Sequence, residues 1–241
     1  MAKSDFLYGL ETEEAPRRTL VNLSGSESGS GAEVWLEAET AKAFLKMQAA
    51  AEQDGIALAI CSGYRSFERQ LAIWNAKASG KRPLLDKNSL PVGDVGALSD
   101  DELVALILLW SALPGASRHH WGTDMDLFDS GQISKHELKL VNAEYEPQGP
   151  CYKLNLWLDE RALDFGFYRP FQPGLSGVSP ERWHLSFLPK AKGFLEKFDS
   201  DRLRQILDHS DLALKQSLLR RLPELVETYV RRVAPYPESF T

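Results

Sequence analysis

His119, Asp126 and His184 are the residues of this chain whose types and spacing fit one chemical task, the holding of a single zinc ion. A hydrolytic zinc takes three protein ligands from His, Asp or Glu and keeps a fourth position open. Ser117-Arg118-His119-His120-Trp121-Gly122-Thr123-Asp124-Met125-Asp126 packs two histidines, two carboxylates and a glycine into ten residues, and runs straight into apolar Leu127-Phe128. Asp126 follows His119 by seven positions, with Gly122 between them to let the backbone turn. A loop running into a strand therefore brings both side chains to one point. His184 lies in Glu181-Arg182-Trp183-His184-Leu185-Ser186-Phe187, which reads as a second core strand, whereas His136 and His209 sit in polar surroundings.

Glu181 precedes His184 by three residues and is placed to act as a general base, taking a proton from the attacking water and passing it to the leaving amine. Arg65 follows an apolar run at a strand-to-helix corner. It suits either the carbonyl oxygen that becomes negative during hydrolysis or a terminal carboxylate. Taken singly, each of these residues is more often structural: a lone histidine packs, and a lone arginine caps a helix or pairs with an acid. His120, with no task of its own, reads as a packing residue or one that flanks substrate.

The elements that must position them follow from periodicity. Leu36, Thr40, Phe44, Met47 and Ala51 mark an amphipathic helix from Glu37 to about Asp54. Residues 56–61 are apolar on both faces, as in a central strand covered on both sides, and make a buried free thiol the expected state of Cys61. A turn at 62–66 leads to a helix carrying Phe67, Leu71, Trp74 and Ala78. Residues 80–98 form a long connection, Ser99 starts a helix running to about Leu113, residues 129–150 are irregular and 154–165 are helical. Residues 22–31 have the composition of a flexible loop, and the arm before them reads as surface structure. From Pro189 to Val233 the pattern is helical. The fold class is α+β: a small central antiparallel sheet flanked by helices, with an N-terminal arm and loop (1–32), a main domain (33–190) and a helical C-terminal extension (191–241) packed on it.

Composition excludes several classes. At 241 residues, 43% hydrophobic and 26% charged, the chain is an ordinary globular protein. A net charge of -6 argues against a nucleic-acid footprint. Two cysteines exclude a disulfide scaffold and a cysteine zinc finger, leaving one bridge possible. No window has the uninterrupted apolar length of a membrane span. Residues 1–6 lead into no apolar signal core, and Glu11, Glu13 and Glu14 arrive early, so the chain as it stands reads as cytoplasmic.

Ser62-Gly63-Tyr64-Arg65-Ser66 with Gln70, then Ser117-x-His119-x-x-Gly122-x-x-x-Asp126, then Glu181-x-Trp183-His184 resemble, in order and spacing, the three motifs of the VanY-like D-alanyl-D-alanine carboxypeptidases. These belong to the LAS group of zinc peptidases (peptidase family M15). The resemblance spans roughly Glu33 to Phe187. It implies a LAS/Hedgehog-like fold and one Zn2+ held by His119, Asp126 and His184, with Glu181 as base and Arg65 engaging substrate. The reaction implied is removal of the terminal D-alanine from peptidoglycan peptides through metal-activated water. L,D-carboxypeptidase and D,D-dipeptidase activities share that chemistry, and a non-catalytic peptidoglycan-binding domain is the reading from another class. Retention of Glu181 speaks against the last, because a binder has no need of a base.

The resemblance also makes Ser117 a candidate substrate contact, and adds Gln70, for which structure and substrate contact stand equal, and Tyr64 and Trp183, for which wall or core is the plainer reading. Two departures stand out. The family has a small apolar residue two positions before the metal Asp, where this chain has Asp124, on the face of Asp126 if the segment is a strand. Asp124 could orient a ligand from behind, pair with Arg65 or Arg118, or attract a substrate amine. The second departure is the missing export signal, since the family implies work in the periplasm or cell envelope.

Overall fold

The residues read as strands converge on one four-stranded sheet. In the computed structural model, which describes residues 2–10, 20–25, 27–31 and 33–237, a 3-10 turn at Ala2–Tyr8 precedes the strands β1 (Leu20–Leu23) and β2 (Val34–Glu37). There follow α1 (Ala38–Gln53), β3 (Leu58–Ser62), α2 (Phe67–Ala78), α3 (Asp100–Leu108), β4 (Asp124–Asp129), α4 (Tyr152–Arg161), β5 (Phe167–Tyr168), β6 (His184–Phe187), α5 (Leu188–Glu196), α6 (Ser200–Asp208) and α7 (Lys215–Val226). The larger sheet has the order β3-β4-β6-β5 and is antiparallel throughout; β1 and β2 pair separately. This is the α+β architecture expected.

Local chemistry sets the helix starts. The Glu37 carboxylate accepts from the backbone N–H groups of Glu39 and Thr40 and so caps α1. Phe44, Met47 and Ala51 then bury against Leu58, Ile60, Leu127 and Leu185 under the sheet. Ser99 and Glu102 form a reciprocal capping box at the start of α3. That helix stops at Leu108, short of Leu113; just beyond it the Leu109 carbonyl accepts from the Ser179 N–H and the Trp110 side chain donates to the Asp86 carbonyl. A second apolar cluster joins α2 and α3 to α6 and α7 through Trp74, Val104, Ile107, Leu203, Leu207, Leu218 and Leu222.

Several expectations are corrected. The strand over 56–61 is an edge strand, β3, shifted to Leu58–Ser62. Its free edge is covered by the stretch read as a flexible loop: the Ile60 N–H donates to the Ser28 carbonyl at 2.9 Å and Ser28 is fully buried. Gly29, at φ +67°, lies so close that a Cβ would fall 2.5 Å from the Leu58 carbonyl oxygen. Small residues there permit close approach and do not mark flexibility. Ser26 of this stretch lies outside the described residues.

The arm read as surface structure is a buried clamp where it is described. Leu7 and Tyr8 are in the helical core, the Trp121 indole donates to the Leu7 carbonyl, and Asp5 pairs with Arg202. Residues 11–19, with Glu11, Glu13 and Glu14, lie outside the described residues. The strand over 181–187 begins only at His184, since the His184 N–H turns back to the Glu181 carbonyl. Residues 154–165 divide into α4 and a 3-10 turn at Ala162–Phe165. Cys61 is half-buried, and it and Cys151 are both free.

Candidate metal centre

Register places the chemistry. Asp126 on β4 stands opposite His184 on β6 and opposite Ser62 on β3, and Asp124 stands opposite Ser186. Directly opposed residues in an antiparallel pair have Cβ atoms roughly 5 Å apart on one face. A register irregularity between Ile60 and Ser62 brings Ser62 into that row.

His119 arrives from a 3-10 turn, Arg118–Trp121, closed by Gly122 at φ +69°. The Gly122 carbonyl accepts from the Glu37 N–H at 2.8 Å, and a Cβ on Gly122 would sit 2.9 Å from that nitrogen. Gly122→Ala is therefore expected to destabilise the protein by more than the ~1–2 kcal/mol of left-handed backbone alone. Chemical unfolding measures this, and a loss under about 0.5 kcal/mol would contradict it.

The His119, Asp126 and His184 ligand atoms lie within 4.8 Å of one another, all buried. His119 Nε2 is 3.4 Å from Asp126 Oδ2, and His184 Nδ1 is 3.1 Å from Asp126 Oδ1. The rings meet edge to face with centroids 5.0 Å apart. Each histidine is backed on its far nitrogen: His119 Nδ1 lies 2.9 Å from the Gly63 carbonyl and His184 Nε2 lies 3.0 Å from Asp124 Oδ1. Both partners accept, so with a metal on the near side the far nitrogens would carry the protons and His119 Nε2 and His184 Nδ1 would be the ligand atoms.

Without a metal the neighbouring acids and burial set the electrostatics. Burial pushes the His119 pKa down, against the pull of Asp126. Burial would lower His184 as well, but hydrogen bonds to Asp124 and Asp126 win and raise it to about 10. Burial opposes ionisation of Asp126, yet the two histidines hold it far below the usual carboxylate range.

Glu181 lies 3.5 Å from His184 Nδ1, and burial pushes its pKa up to about 8, with Asp126 adding to the rise and His184, Arg65 and Lys77 opposing it. A carboxylate tuned toward neutrality suits a group that takes and returns a proton. Arg65 is held by two donated hydrogen bonds, Nη1 to Gln70 Oε1 at 2.8 Å and Nη2 to Ser62 Oγ at 2.9 Å. Gln70 is fully buried and donates in turn to the Ala112 carbonyl at 2.6 Å.

A cavity of about 320 Å³ opens on this group, lined by Arg65, Ser117, His119, Asp126, Glu181, Trp183 and His184. Of the other substrate-contact candidates, Gln70, Tyr64 and Asp124 do not line it. Gln70 is behind Arg65, Asp124 is fully buried behind His184, and Tyr64 donates its backbone N–H to the Trp35 carbonyl. We therefore expect Gln70→Ala to act through Arg65, raising KM more than it lowers kcat, with a loss of about tenfold in kcat/KM for one charge-assisted hydrogen bond. Steady-state kinetics check this; a pure kcat effect would contradict it.

His120 is a fastener: buried, it receives the Gly115 N–H at Nε2 and lies 2.6 Å from the Arg65 carbonyl at Nδ1, with burial pushing its pKa down to about 3. Lys77, Phe171 and Ser186 escaped the sequence reading. Lys77 lines the cavity and shares the face of Gln70 and Ile73 on α2, a periodicity that could have found it. Burial pushes its pKa down to about 8. Phe171 packs against His184 with ring centroids 4.8 Å apart and planes tilted by 46°, from within a Pro/Gly-rich run that carries no such signal.

The family model for the D-alanyl-D-alanine carboxypeptidases, VanY, matches residues 33–190. The chain belongs to the VanY family. Within that family setting, it is 32% identical over 121 residues to an uncharacterized protein of Haemophilus influenzae, spanning 49% of this chain and 92% of that one. It is 30% identical over 142 residues to a D-alanyl-D-alanine carboxypeptidase of Enterococcus faecalis, spanning 58% of this chain but only 43% of the enterococcal one.

Among solved VanY structures, VanYB in complex with D-alanine-D-alanine superposes with a TM-score of 0.51 at 20% identity, covering 88% of this chain and 97% of that one. A mutant of the vancomycin-resistance D,D-pentapeptidase VanY in complex with Zn(II) gives a TM-score of 0.50 at 21% identity, covering 88% and 99%. At these identities the likeness carries the fold.

The residues present fit a zinc ion on their own chemistry. The donor set is two imidazole nitrogens and a carboxylate, mutually close, with both far imidazole nitrogens satisfied.

Proposed function

We propose that this VanY-family chain is a zinc-dependent D,D-carboxypeptidase that releases the terminal D-alanine from peptidoglycan peptides. The observation that carries the reading is the Glu181 carboxylate, 3.5 Å from His184 Nδ1 and facing the same cavity as the His119, Asp126 and His184 cluster. His119 Nε2, Asp126 and His184 Nδ1 would hold the metal. A zinc ion bound there supplies Lewis acidity, acidifying a water and polarising the scissile carbonyl.

The chain's own residues do the rest. Glu181 accepts the proton of the attacking water and delivers it to the departing amine. Arg65, pre-aimed by Gln70 and Ser62, receives the terminal carboxylate, with Ser117 beside it in the cavity wall. Lys77, Arg82 and Lys139 line the same cavity and add positive potential, which draws an anionic peptide end inward. A second depression of about 520 Å³ meets this cavity at Phe171 and Glu181 and gives room for the rest of the peptide.

Among the described residues no helix is long and apolar enough to cross a membrane. The proposed substrate places the enzyme's work in the cell envelope, against the cytoplasmic reading that the first residues alone suggest. The test is to load the protein with zinc, incubate it with pentapeptide and tetrapeptide muropeptides, and follow free D-alanine. Release from the pentapeptide is expected. Release from the tetrapeptide alone would favour the L,D activity, and none from either, with metal bound, would sink the enzyme reading.

A further inference from the structure

Asp124, the residue that sets this chain apart from the motif it otherwise follows, has no exposed surface and four donors around its carboxylate. Oδ1 accepts from Arg118 Nε at 2.7 Å and faces His184 Nε2 at 3.0 Å. Oδ2 accepts from Thr123 Oγ1 at 2.7 Å and from Ser186 Oγ at 3.0 Å. Arg118 Nη2 reaches the same Ser186 hydroxyl at 2.6 Å, so one guanidinium braces both residues of the Asp124 and Ser186 cross-strand pair.

This arrangement decides among the roles open to Asp124. A substrate amine has no access to it. Arg65 is engaged by Gln70 and Ser62, so the partner is Arg118. Asp124 also stands on the wrong edge of the imidazole to be a ligand, since it meets Nε2 while Asp126 and Glu181 gather at Nδ1. Sinking a carboxylate and a guanidinium together adds little net stability, because desolvation offsets most of their attraction. What the pair does accomplish is local to His184.

We propose that Asp124 is a positioning residue of the metal centre: it holds the His184 proton on Nε2 and the ring in the orientation that aims Nδ1 at Asp126 and His119, with Arg118 keeping the carboxylate in place. The proposal rests on the zinc reading above. His119 is backed by the neutral Gly63 carbonyl and His184 by a full negative charge. The two imidazoles are therefore unequal, His184 being the more electron-rich donor.

The test uses the full chain stripped of metal. Zinc affinity is measured by competition with a chromophoric chelator, and the His184 tautomer by side-chain 15N shifts above the pH at which the ring gives up its second proton. Asp124→Asn keeps an acceptor and removes the charge, and Asp124→Ala removes both. Expected are a zinc Kd weakened by about tenfold in the first and approaching 100-fold in the second, the range for loss of an outer partner of a ligand. The Asp124→Ala protein should also show His184 sharing its proton between both nitrogens.

Because Asp124→Ala strands Arg118, the double variant Arg118→Gln with Asp124→Asn serves as a neutral pair. It should keep the Nε2–H tautomer while showing the weaker zinc affinity. Zinc affinity within twofold of the unaltered protein in the single variants, or an unchanged tautomer in Asp124→Ala, overturns the proposal. Complete loss of zinc from Asp124→Asn also overturns it, by making Asp124 a ligand. A native protein that binds zinc with this dependence yet releases no D-alanine leaves the positioning role standing and removes only the carboxypeptidase reading.

Discussion

Glu181→Ala is expected to slow D-alanine release by about 10²–10⁴-fold, the usual worth of a positioned general acid-base, while zinc stoichiometry stays at one per chain. The carboxylate sits at the edge of the proposed ligand set, 3.5 Å from His184 Nδ1, and supplies a proton acceptor with no share in holding His119 or Asp126. KM should move little, because Arg65 and Ser117 lie elsewhere on the cavity wall. Stopped assays of free D-alanine with metal analysis of the same sample separate the two effects. Activity within tenfold of the native protein would reassign the base, and loss of zinc would make Glu181 a ligand.

His184→Ala should fail in both respects. Removing it takes away a donor nitrogen and also strips Asp124 and Asp126 of a common partner; Asp124 keeps Arg118, Thr123 and Ser186, whereas Asp126 keeps His119. Metal affinity should fall further than the about 10–100-fold that removal of a ligand's outer partner costs, and activity should drop to background. A buried Asp126 that has lost one of its two histidine partners also makes the variant less stable than Glu181→Ala, and most so well above the carboxylate range, where that acid is ionised. A His184→Ala protein that keeps zinc with native affinity would remove His184 from the ligand set.

The cluster was legible because its residues occur together and in order: charged and imidazole side chains beside apolar Leu127-Phe128 and Leu185 are each more often structural alone, and only their combined spacing points to chemistry. Helices with regular apolar spacing were legible for the same kind of reason, as with Phe44, Met47 and Ala51. What escaped was whatever depends on partners distant in sequence. Ser28 and Gly29 look like linker residues, since small size serves flexibility and close packing equally, and only the edge of β3 shows which applies. Leu7 and Tyr8 are buried by helices almost 200 positions later. Alternation along a strand put Asp124 on the face of Asp126, but its choice among three roles was made by Arg118, Ser186 and the far edge of the His184 ring.

The first and second motifs are also sewn together through their backbones: the Arg65 N–H donates to the His119 carbonyl at 3.1 Å, His120 Nδ1 meets the Arg65 carbonyl, and His119 Nδ1 meets that of Gly63. The proposed anchor for a chain end and the proposed place of bond cleavage thus belong to one piece, and their separation would behave as a ruler. On the proposed reading, cleavage is measured from the free carboxyl terminus, and a peptide cross-linked at that end offers nothing for Arg65 to grip. Endopeptidase activity on closed cross-bridges would then require Arg65 to be released from Gln70 and Ser62, a change at the first motif with the metal centre left as it is.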